Sequence, residues 1–203
     1  MSPGLWPFAD VLLDAGHGGV DGGTSHGDIL EKDINLAVAK KLYSQLQKQK
    51  YRVILNRNAD YALSEENRWL KTYSRHRKDL AQRKLPTEEL PVRMMISLHV
   101  NWSHNRSERG PLVLYQKGSP ESKALAECLQ KKLNPLYGTG QSPVAGKTYY
   151  LLNRVKCPTV IVEMGFLSNP ADRKMLTGSR HQLQLAEAMA AGIGEYFKLQ
   201  QHY

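Results

Sequence analysis

Apolar residues fall in short unbroken runs that alternate with longer, helically spaced stretches. Val11-Leu12-Leu13 closes on Asp14 and a glycine-rich segment, the pattern of a buried strand running into a loop. From Glu31 the spacing changes. Ile34, Val38, Leu42 and Leu46 recur every fourth residue beside Lys40, Lys41 and Lys48, which predicts an amphipathic helix. Arg52-Val53-Ile54-Leu55 is a second strand, and after a polar loop the basic stretch 68–85 reads as a helix stopped by Pro86. Residues 94–100 form a buried strand with His99 near its end, and 112–115 another. The segment 119–133 aligns Leu125, Cys128, Leu129 and Leu133 on one side of a helix ended by Pro135. A glycine-rich loop over 137–146 leads to the apolar segment 149–152. Residues 159–162 are the last strong strand, and 183–197 close the chain as an amphipathic helix.

Strands alternating with helices predict an α/β domain whose helices cover a mostly parallel sheet. With 203 residues, 41% hydrophobic and 23% charged, one domain over 1–203 with a single core is expected, preceded by a flexible segment at 1–9. There are 28 Lys and Arg against 19 Asp and Glu, a formal charge of +9 that favours polyanionic partners. No nucleic-acid signature accompanies the charge, so a nucleic-acid partner is not expected. The basic residues Arg68, Lys71, Arg75, Arg77 and Lys78 could attract an anionic polymer or simply form a solvated helix face. Cys128 and Cys157 make no metal-binding spacing and read as buried free thiols. No stretch is apolar enough to span a membrane, and 1–8 does not look like a signal peptide.

In open α/β sheets ligands bind where strands end at their carboxyl termini. His17 follows the first strand, Glu31 opens the next helix, His99 closes the strand 94–100, and Glu163 follows 159–162. Two imidazoles and two carboxylates suit a catalytic zinc site, in which three protein donors leave a position for water. A further carboxylate would then manage protons. Each residue also has a plainer role: His17 as a turn residue, Glu31 facing a helix dipole, His99 as a core histidine. Glu163, following three β-branched residues, is hardest to explain without a partner or a task. Spacing alone leaves the metal open.

Four segments carry a resemblance. Leu13-Asp14-Ala15-Gly16-His17-Gly18-Gly19 with Asp21-Gly22-Gly23, Leu30-Glu31-Lys32-Asp33, residues 96–101, and residues 162–169 resemble, in order, the four motifs of the Amidase_3 type of N-acetylmuramoyl-L-alanine amidases. The likeness runs from Asp10 to Phe197. It implies a three-layer fold, a central, mostly parallel, twisted sheet flanked by helices. It implies one zinc ion per chain on His17, Glu31 and His99, with Glu163 as acid/base. The implied reaction is hydrolysis of the amide joining the lactyl group of N-acetylmuramic acid to L-alanine in peptidoglycan. Tyr73-Ser74-Arg75, Asp79-Leu80 and Gln82-Arg83 are also similar to the germination-specific amidases of spore formers. That narrower likeness implies spore cortex as substrate, a cortex deacetylase acting downstream, an activating lipoprotein as a candidate partner, and export with the anchor or signal outside this sequence. Asn101 and Ser168 are candidates for binding substrate or for fixing loops. Departures are Trp102 after Asn101 and Arg93-Met94-Met95 before the third motif. No long insertion is visible that would supply the blocking helix of some members, which implies an open groove. Outside this reading stand a zinc peptidase of the stem peptide, a vegetative-wall amidase and a non-catalytic wall-binding protein on the same fold.

Overall fold

The computed structural model describes residues 8–201. In chain order the elements are β1 (Val11–Ala15), β2 (Ser25–His26), β3 (Ile29–Leu30), α1 (Glu31–Lys48), β4 (Val53–Leu55), α2 (Arg75–Lys84), α3 (Pro86–Glu89) and β5 (Met95–Asn101). There follow β6 (Leu112–Gln116), α4 (Pro120–Tyr137), β7 (Val144–Gly146), α5 (Tyr150–Arg154), β8 (Thr159–Phe166), α6 (Pro170–Thr177) and α7 (Ser179–Gln200). Six strands form one sheet in the order β4-β1-β5-β8-β6-β7, parallel except where β6 meets β8, while β2 and β3 make a separate hairpin. Helices lie on both faces, so the expected α/β fold is observed.

The two faces of the sheet are unequal, and that inequality makes the site. Alternate residues Val11, Leu13, Ile96, Leu98, Val160 and Val162 enter the main core against Val38, Leu42, Leu129, Met189 and Ile193 from α1, α4 and α7. The opposite face carries two small clusters: Leu12 and Met95 with Leu151 and Val155, and Leu114 and Ile161 with Leu152. Further toward the carboxyl ends this face turns polar, because Asp14, Ser97, His99 and Glu163 share its parity with Leu12, Met95 and Ile161. β1 leads outward to β4, and the chain then returns to set β5 on the other side of β1. A crevice therefore opens between the ends of β1 and β5, the usual ligand position in such sheets.

Several local expectations are corrected. The helix expected over 68–85 begins only at Arg75. Asn67 Oδ1 accepts the amide of Leu70 (3.0 Å), and Ser74 Oγ accepts that of Arg77 (3.2 Å), so these side chains take up donors and cap α2 instead of extending it. Pro86 starts α3 at its first position, where a missing N–H costs nothing. Pro135 lies inside α4, which continues to Tyr137 and ends on left-handed Gly138. Tyr137 holds that last turn by burial and by donating to the Met164 carbonyl (2.5 Å). The last strong strand runs past Val162 to Phe166, which puts Glu163 within β8. The segment 149–152 enters helix α5, while β7, α6 and the β2–β3 hairpin were not anticipated. Of the flexible segment expected at 1–9, residues 1–7 lie outside the described residues. Ala9 is buried and bridged to Val92. Both cysteines are free, Cys128 buried and Cys157 half-buried. Among the described residues no helix is long and apolar enough to cross a membrane.

Leu129 is fully buried where α4 packs on α7, with Gly192 of α7 against its backbone. Leu129→Ala should cost about 2–5 kcal/mol of unfolding free energy, read by urea denaturation at constant m.

Candidate metal centre

Three of the four expected residues meet. His17, Glu31 and His99 each offer a donor atom, and these atoms lie within 4.8 Å of one another. Glu31 is the first residue of α1, and its carboxylate is the hub. Its Oε1 lies 3.2 Å from His17 Nε2 and 3.0 Å from His99 Nδ1, and it accepts the Val100 amide at 3.0 Å. Its Oε2 accepts the Thr24 amide at 2.8 Å. Glu163 is not one of the clustered donors, but sits in register beside His99 across the β5–β8 pair. Immediately beyond, β8 carries an extra residue relative to β5, and Gly165 with its positive φ takes up this bulge against Tyr137 and Asp172.

The loop after β1 is held in an unusual course. His17 is left-handed (φ 59°), a conformation few non-glycine residues adopt, and its Nδ1 meets Asp21 at 2.8 Å, turning Nε2 toward Glu31. The loop carbonyls are bound from beneath by two buried arginines. Arg83 meets Asp14 (2.7 Å), Asp79 (2.5 Å) and the carbonyls of Ala15 and His17 (each 2.9 Å). Arg57 donates to the carbonyls of Ala15 (2.9 Å), Gly16 (3.0 Å), Lys32 (2.8 Å) and Ala59 (3.1 Å). Asp14 also accepts from Asn56 and from Ser97 Oγ (2.5 Å). Lys32 closes the outer side on Asp60 (2.6 Å) and the Gly19 carbonyl (2.8 Å). Two glycines are required by close approach. A Cβ on Gly16 would stand 2.4 Å from the His99 ring, and one on Gly23 would stand 2.5 Å from the Glu31 carboxylate.

The electrostatics suit a cation. Burial opposes charge on both Glu31 and His17, yet their mutual hydrogen bonds and attraction win. Glu31 is held far below the usual carboxylate range, and His17, bonded also to Asp21, rises to about 9. Without a metal, the cluster thus draws protons onto imidazole, and a cation would take their place. Two neutral imidazoles and a carboxylate form a donor set of the kind zinc accepts. Glu163 behaves differently. Burial dominates and lifts its carboxyl to about 7, with Glu31 pushing the same way and the histidines opposing. Such a value suits a group that takes and returns a proton near neutral pH.

The other candidates are engaged in loops. Asn101 Oδ1 accepts the Trp102 amide (2.8 Å), and Ser168 Oγ accepts the Ser103 amide (3.1 Å). Trp102 is half-exposed and meets His104 edge-on. The remaining histidines His26, His76, His104 and His181 are not among the clustered donors, and His202 lies outside the described residues. Sequence reasoning missed Arg57, Asp60 and Asn56, and quoted Asp14, Asp21 and Arg83 without a role. The signal available was position: Asn56-Arg57 directly follows the strand beside β1, and Arg83 lies in a stretch that already matched relatives.

A buried carboxylate beside a three-donor cluster, in the switch-point crevice of an α/β sheet, is the candidate site of a metal-dependent hydrolase. The comparisons narrow this. A family profile described as N-acetylmuramoyl-L-alanine amidase matches residues 11–195, and the chain belongs to that family. The germination-specific N-acetylmuramoyl-L-alanine amidase of Bacillus subtilis is 34% identical over 92% of this chain and 79% of its own length. The CwlD amidase from Clostridioides difficile, solved in complex with the GerS lipoprotein, superposes with TM-score 0.87 and 33% identity. The match covers 94% of this chain and 99% of that one. The catalytic domain of the amidase CwlV from Bacillus (Paenibacillus) polymyxa var. colistinus gives TM-score 0.79 at 30% identity, over 94% and 99% of the two chains.

Two consequences are measurable. Arg83→Ala leaves Asp14 buried without its ion-pair partner and should cost about 3–5 kcal/mol, read by denaturant unfolding. The second concerns Glu163 in the metal-free protein. Its folded pKa lies above its unfolded value, so burying it carries no penalty below pH 4.5, and a penalty that grows between pH 4.5 and about 7 and then levels off. Glu163→Gln should therefore unfold with the wild type at pH 4 but be more stable at pH 8, by up to about 3 kcal/mol. Equal stability of the two proteins at pH 8 would contradict the shift.

Proposed function

We propose that this chain is a zinc-dependent N-acetylmuramoyl-L-alanine amidase. It hydrolyses the amide between the lactyl group of N-acetylmuramic acid and the L-alanine that begins the stem peptide. The observation that carries this reading is the division of labour among the carboxylates. Glu31 lies within the donor cluster, while Glu163 stands beside it, buried, with its carboxyl raised to about 7. His17, Glu31 and His99 would hold one zinc ion. When bound, zinc supplies a Lewis acid for the amide carbonyl and makes water acidic enough to attack near neutral pH. Glu163 takes the proton of the attacking water and delivers it to the departing alanine nitrogen. Asp21 keeps His17 in the correct ring orientation, and the clamp of Arg57 and Arg83 keeps the ligand loop in place.

Spore-cortex peptidoglycan is the proposed substrate, with amide cleavage as the first step toward muramic δ-lactam. A deacetylase would act downstream. Support comes from the germination-specific relative of Bacillus subtilis and from CwlD, whose solved complex with GerS also makes a lipoprotein a reasonable partner here. Such an enzyme would work outside the cytoplasm, in the cell wall, the forespore intermembrane space or the cortex.

The test is digestion of purified cortex and vegetative peptidoglycan, with and without chelator and with a cognate lipoprotein supplied, followed by mass spectrometry. Stem peptides beginning with free L-alanine are expected, and chelation should abolish them. Glu163→Gln should reduce the rate by about 10²–10⁴-fold while still binding zinc. Cleavage inside the stem peptide, or intact linkages with zinc present, would overturn the assignment. Preference for vegetative wall would remove the cortex part alone.

A further inference from the structure

Behind Asp21, one hydrogen bond from His17, lies a cavity of about 290 Å³. Its polar lining is Asp21, Ser64, Arg75, His76 and Asp79, with Val20 and Ala62 as apolar wall. Two of these charges are already spent. Asp21 is bonded to His17, and Asp79 to Arg83 at 2.5 Å. Arg75 and His76 are exposed and form no ion pair among the described residues. Arg75 opens α2, whose positive end adds to its field, and Arg77 and Lys78 follow closely. The cavity thus offers free positive charge beside the metal cluster, in a pocket large enough for one side chain.

Resting on the amidase reading above, we propose that this cavity is a specificity subsite for the stem peptide, with Arg75 binding a free carboxylate on the residue after L-alanine. Charge decides which half of the substrate fits. The glycan beside the scissile amide presents mainly hydroxyl and acetamido groups, whereas a stem peptide carries carboxylates. Two residues of extended chain span about 7 Å. The cavity begins at Asp21, a single hydrogen bond of 2.8 Å from His17, so a carboxylate on the second residue is the one placed to enter it. The planar guanidinium of Arg75 can grip it with two parallel bonds. Val20 and Ala62 would pack the aliphatic part of the same residue, and Ser64 can donate one further hydrogen bond.

The experiment uses two synthetic N-acetylmuramoyl dipeptides, identical except that the second residue bears a free carboxylate or the corresponding carboxamide. Wild-type protein should prefer the acid. In Arg75→Ala the ratio of kcat/KM for acid over amide should fall about tenfold, chiefly through KM, and Arg75→Lys should restore part of it. Circular dichroism and thermal midpoint should be unchanged, because Arg75 is exposed. An unchanged ratio, or an equal loss on both substrates, would overturn the subsite while leaving the amidase reading intact. A second arm titrates the free acidic and amidated L-alanyl dipeptides into the protein by calorimetry, where no turnover is needed. Arg75-dependent binding of the acid without hydrolysis of either substrate would retain the subsite and overturn the amidase reading. Absence of both would overturn both.

Discussion

Arg83 reaches from α2 under the end of β1 and meets two carboxylates and two backbone carbonyls at once, while Arg57 shares the Ala15 carbonyl and gathers three further ones of the same region. The arrangement answers a backbone problem. A chain that leaves a buried strand and turns sharply enough to aim His17 back over the sheet points carbonyl oxygens inward, where no water can satisfy them. Guanidinium groups, with five donors in a rigid fork, meet that demand better than any other side chain. The charge of Arg83 is in turn balanced by Asp14, which Ser97 and Asn56 also bind. Loss of one member leaves the others exposed to the full cost of burial, so the network behaves as a unit.

The sheet supplies the second half of the geometry. Because side chains alternate, residues that face the three packed helices on one side leave His99 and Glu163 on the other. Parallel pairing sets them side by side, and the pairing shifts by one residue directly after them. Helix α1 then brings Glu31 to the same point from across the crevice, with its first-turn position fixed by amides of Thr24 and Val100.

Much of this was legible in the chain. The strands with unbroken apolar runs and the helices with fourfold spacing fell where periodicity placed them, since burial on one or two faces leaves a mark at each residue. Position at strand ends singled out His17, Glu31, His99 and Glu163 together, and the family resemblance separated the first three as a ligand set. Less legible were features decided by a distant partner. A buried arginine looks like any basic surface residue until its carbonyls are in view, so nothing in the spacing sets Arg83 apart from Arg75 or Arg77. Pro135 looked like a helix end because Tyr137's bond to Met164 is a tertiary effect. The start of α2 moved to Arg75 because Asn67 and Ser74 bond the local backbone, which apolar spacing does not record.

The left-handed turn at His17 also bears on how the three donors are brought together. Its course is secured by Arg57, Arg83 and Asp21, none of which needs a cation to form its bonds. Small zinc modules fold only as the metal arrives, because little else holds their ligands together. Here the loop that carries His17 is held by the chain's own side chains, through bonds that involve no metal ion. The donor atoms of His17, Glu31 and His99 are thereby gathered by the fold itself, unlike those of modules whose ligands meet only around an ion.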